Sequence, residues 1–72
     1  MDKRILLAHL EQAKRHAAAG KRLLAEQRAR IAQLLNDGHD VAPAEALLAR
    51  FEETQTLHLA DVERLIEELA KE

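Results

Sequence analysis

Four histidines are the side chains in this 72-residue sequence best suited to hold a metal or move a proton. His9 and His16 lie seven residues apart, which on a helix is two turns, or about 10.5 Å. One zinc ion needs ligand bonds of ~2.1 Å. Within one helix that requires ligands three or four residues apart, and no two histidines here have that spacing. No metal and no other cofactor is therefore expected, apart from a single histidine lent to a site between subunits. The plainer expectation for His9 and His16 is a partly solvated place at the edge of a helical bundle. His39 follows Gly38 and precedes Asp40, where it can meet the last carbonyls of a preceding helix.

Catalysis is not expected either. The chain has no Ser, Cys or Tyr nucleophile and no glycine-rich phosphate loop. Its paired carboxylates, Glu52 with Glu53 and Glu67 with Glu68, are adjacent and diverge on a helix. A carboxylate-bridged metal site in a bundle needs Glu-x-x-His, but Gln55 stands three residues before His58. What remains is a basic stripe of Lys14, Arg15, Lys21, Arg22 and Arg28, a face that could meet an anionic partner. Phosphate backbones bind such stripes through counterion release. No Trp or Tyr is present for base stacking, and the net charge is −2, which argues against nucleic acid.

The elements that carry these side chains follow from an apolar rhythm. In a first arm Leu6, Leu10, Ala13, Ala17, Gly20, Leu24, Gln27, Ile31 and Leu34 are spaced by alternating fours and threes. In a second, Leu48, Phe51, Gln55, His58, Val62, Leu65 and Leu69 repeat the pattern. That spacing predicts two helices packed along a narrow seam. The first is expected over about residues 3–36, the turn over 37–41 and the second helix over about 42–70, as a single domain. Gly38 suits the left-handed residue that closes a helix, Asp40 can cap the next one, and Pro43 is tolerated in its first turn. With the reversal centred near residue 39–40, residues whose numbers sum to about 79 lie side by side. Ala13 then meets Leu65 and Ile66, Ala17 meets Val62, Gly20 meets His58, and Gln27 meets Phe51.

Charge reinforces the pairing. Residues 1–36 carry eight Lys/Arg against three Asp/Glu, while residues 37–72 carry three against ten. The arms are thus complementary when folded back on each other. The polar seam residues Gln27, Gln55 and His58 are candidates to fix register. His58 in particular is expected to bond to Gln55 or to a partner helix. Because imidazole changes charge near pH 6–7, its protonation would loosen the bundle.

The apolar surface exceeds one seam. Leu7, Leu23 and Leu35 flank it on the first helix, and Leu47, Leu59 and Ile66 on the second. With Phe51 these form the expected oligomer interface. Two hairpins closing face to face would give a dimeric four-helix bundle. On this reading, replacing Leu59 and Ile66 by Lys gives monomers or unfolded chains. A chain of this length is marginal alone and has no cysteine to staple it. No apolar run suits a signal peptide or a membrane span, so a cytoplasmic location is expected.

The stretch Gln27-x-x-x-Ile31-x-x-Leu34-x-x-x-Gly38-His39-Asp40, with Ala46-Leu47-Leu48-x-x-Phe51-Glu52-Glu53 and Leu57-His58 after it, resembles a group of short alphaproteobacterial helical-hairpin proteins with a Gly-His-Asp turn. The likeness covers about residues 20–69. It implies a bacterial hairpin and carries over no activity and no functional residue. The expected fold is an all-α, coiled-coil-like antiparallel two-helix hairpin that dimerises. The expected role is a non-catalytic oligomerisation or protein-interaction module, open also to a helix of another protein. The alternative is a nucleic-acid-binding regulator using the basic face, as small dimeric hairpins of the Rop kind do; that analogy is one of architecture alone.

Overall fold

The structure, a computed structural model, describes residues 2–72. Two helices account for nearly all of them: α1, Lys3–Asn36, and α2, Ala42–Ala70, packed along each other with no strand among the described residues. Ala, Leu, Arg, Gln and Glu dominate both segments and favour helix. The result is a rod of 54 × 14 × 13 Å.

Each helix start is built by an aspartate. Asp2 caps α1, its carboxylate accepting from the Arg4 amide at 2.9 Å. Val41 occupies the cap position of α2 and offers no side-chain acceptor. Asp40, one residue earlier, accepts from the Ala42 amide at 3.0 Å instead. Pro43, in the first turn, forfeits an amide that needs no partner there.

The end of α1 sets the register. Gly38 adopts φ 76°, and its amide donates to the Leu35 carbonyl while the His39 amide donates to the Leu34 carbonyl. This paired closure is the Schellman arrangement. It reverses the chain at Asp37 and Gly38, and residues 39–41 link it to α2. The reversal therefore falls about two residues earlier than the 39–40 centre, which moves the seam pairs at mid-length by about four residues, while Ala13 and Leu65 still meet in the core. His58 pairs with His16, and Gly20 faces Gln55. Gln27 donates to the Ala44 carbonyl, and the Ala17 carbonyl accepts from Gln55.

The buried apolar core is Leu6, Leu10, Ala13 and Leu65, with Val62 and Leu69 packed against them. This core sits at the end of the rod where the chain termini meet. Toward the turn the seam is only half-buried, at Leu24, Ile31, Leu34 and Leu48, and its one fully buried side chain is polar, Gln27.

Candidate functional site

Helical spacing sorts the exposed side chains onto two flanks of the seam. One flank carries His9, His16 and Leu23 from α1 with Leu47, Thr54 and Asp61 from α2. The other carries Leu7, Lys14, Lys21, Arg28 and Leu35 with Glu45, Glu52, Leu59 and Ile66. The expected interface set is thus divided: Leu23 and Leu47 lie on the first flank with the half-buried Phe51, and Leu7, Leu35, Leu59 and Ile66 on the second. Ile5 and Leu57 are further exposed apolar side chains outside that set, Leu57 being 68% exposed.

The first flank is concave. An apolar groove of about 200 Å³ is lined by His16, Ala19, Gly20, Leu23, Phe51, Thr54, Gln55 and His58. It exists because the facing residues at this level are small on α1. Ala19 and Gly20 leave space that Leu or Ile would fill. Next to it toward the termini lies a more polar hollow bounded by His9, Gln12, Ala13, His16, Asp61, Arg64 and Leu65. His16 belongs to both, so the two form one furrow along this flank.

The groove floor is pinned by Gln55. Its side-chain amide donates to the Ala17 carbonyl at 2.8 Å, tying α2 to the backbone of α1. Its Oε1 is buried without a hydrogen-bond partner and lies against Gly20, in the space where any other residue would carry a Cβ. Gln27 makes the matching tie nearer the turn, donating to the Ala44 carbonyl at 2.9 Å. Both glutamines therefore act on register through backbone carbonyls, and neither bonds to His58.

His58 instead pairs with His16. The two rings lie 5.5 Å apart, centroid to centroid, tilted by 50°. Neither imidazole has a hydrogen-bond or ion-pair partner among the described residues. Among those residues no three His, Asp or Glu side chains gather closely enough to hold a metal. Spacing within one helix cannot reveal this pair, because its two side chains come from different helices. A register count based on the Gly38 closure would have found it.

The second flank is charged through its middle. Arg28 meets Glu52 at 3.6 Å with both side chains more than half exposed. Of the five basic stripe residues it alone reaches a carboxylate among the described residues. Lys14, Arg15, Lys21 and Arg22 project to solvent beside a helix rich in Glu. The field a phosphate backbone would meet there is mixed in sign, and Leu59 and Ile66 are separated by it from Leu35. No helix among the described residues is long and apolar enough to cross a membrane. No family model, curated protein or solved structure matches the chain.

Proposed function

We propose that this chain is a non-catalytic interaction hairpin whose grooved flank is covered by a second copy of itself, giving an antiparallel four-helix bundle. The observation that carries this reading is the apolar groove at mid-length, open to solvent between Leu23 and Phe51. A two-fold axis through the groove lays each copy's Ala19 and Gly20 against the other's, where small residues permit close approach. The same axis sets the terminal end of one copy, with Asp61, Arg64 and Glu68, over the turn end of the other, with Glu26, Arg30 and Arg50. Arg30 and Arg50 of one copy thus lie toward Asp61 and Glu68 of the other. A flank measuring 54 by 14 Å, covered along its length, approaches the ~800 Å² per partner of a standard stable interface. A cysteine-free chain suits the cytoplasm as the setting.

Light scattering after size exclusion tests this. The unaltered chain should weigh twice 8.1 kDa and hold that mass as salt is raised. Leu23→Lys, at a position already 46% exposed, should give a folded monomer. Leu59→Lys on the other flank should leave the dimer intact. A dimer that survives Leu23→Lys but not Leu59→Lys would move the interface to the charged flank. A folded monomer throughout would leave the groove for a helix of another protein.

A further inference from the structure

We infer that His16 and His58 together form a binding site for a divalent transition-metal ion of the zinc class, held across the two helices of a single chain. Two imidazoles bound to one zinc through bonds of ~2.1 Å hold their ring centroids roughly 5 Å apart at a tetrahedral angle. The observed separation of 5.5 Å is close to that value, so the rings are near enough to share one ion. The pair is reachable, because both rings line the open groove. It is also uncommitted, since neither ring has a hydrogen-bond or ion-pair partner among the described residues. Imidazole is a preferred ligand of Zn²⁺, Ni²⁺ and Cu²⁺ and a poor one for Mg²⁺ or Ca²⁺, which sets the chemical class of the ion.

The surroundings suit the assignment. Asp61 stands one turn beyond His58 on α2 and shares the adjoining hollow with His16. Its present partner is Arg64, at 3.6 Å and well exposed, a contact easily exchanged. A carboxylate on this flank is the type of outer partner that metal-bound histidines use, and Asp61 is the one in the adjoining hollow. The remaining coordination positions face the groove and fall to water, or to a group brought by whatever covers it. An ion bridging residues 16 and 58 binds only the folded hairpin. It stabilises that state by mass action. The site lies within one chain and does not depend on dimerisation.

The test is thermal unfolding with Zn²⁺ alone, followed by circular dichroism in a buffer that does not bind metal. Zinc should raise the midpoint by several degrees, with one ion bound per chain by calorimetry, and Mg²⁺ should leave it unchanged. His16→Ala and His58→Ala should each abolish the shift, while His9→Ala and His39→Ala should retain it. A zinc shift that survives either of the first two changes, or no shift in the unaltered chain, overturns the site. Should one variant fail to fold, the ring resonances of the unaltered protein decide. Those of His16 and His58 must move together on zinc addition, ahead of His9 and His39, and the opposite order overturns the proposal.

Discussion

Gly20 and Gln55 are an interdependent pair. A Cβ at position 20 would occupy the place of the Gln55 Oε1, and that side chain would have to leave its bond to the Ala17 carbonyl. Gly20→Ala alone should therefore change stability little. A gain of ~0.5–1 kcal/mol in helix propensity is set against the loss of a hydrogen bond worth about 1 kcal/mol. In a Gln55→Ala background the same change should stabilise by nearly the full propensity gain. Urea titration of the four chains reads this directly, and strictly additive effects would show that the two residues do not interact. Sequence alone placed both residues in the seam but opposed Gly20 to His58. The site was legible as a set of seam and flank positions, while the partners within it depended on a reversal point that composition does not specify.

The turn shows how two glycines in one chain answer different needs. Nothing lies within 4 Å of where a Gly38 Cβ would be, so the requirement there is the left-handed φ alone. Gly38→Ala should cost about 1 kcal/mol, and Gly38→Asn distinctly less, because Asn tolerates that conformation. Equal losses for Ala and Asn in a denaturant midpoint would mean that the cost is not conformational. The helices were legible from propensity and period over Lys3–Asn36 and Ala42–Ala70, as was the closing role of Gly38. The Asp2 cap and the one-turn register shift were not. A cap needs only a single side chain ahead of the first turn, and the course of residues 39–41 is a property of the closed loop.

Across the whole molecule, sequestration is uneven. Leu6 is 1% exposed and Leu65 4%, both in the core at the termini, whereas Ile31 and Leu48 near the turn are half-buried. Leu6→Ala should cost ~2–5 kcal/mol, enough to unfold much of a chain this small, and Ile31→Ala no more than about half as much. Comparable losses in chemical denaturation of the monomeric Leu23→Lys chain would show that burial within the single hairpin does not govern stability. The charge division between the arms adds preference for this pairing more than strength, since exposed pairs such as Arg28 with Glu52 contribute only about 0–1 kcal/mol. The placement of the core also bears on the order of events in synthesis. Within this stretch Leu6, Leu10 and Ala13 are made well before their partners Val62, Leu65 and Leu69. The terminal end of a nascent α1 carries its apolar stripe uncovered until residues 62–69 have emerged, roughly 3–12 s at ~5–20 residues per second. The hairpin therefore closes only after nearly all of this sequence has been translated, and in that interval α1 is the part of the chain most open to chaperones or to a neighbouring copy.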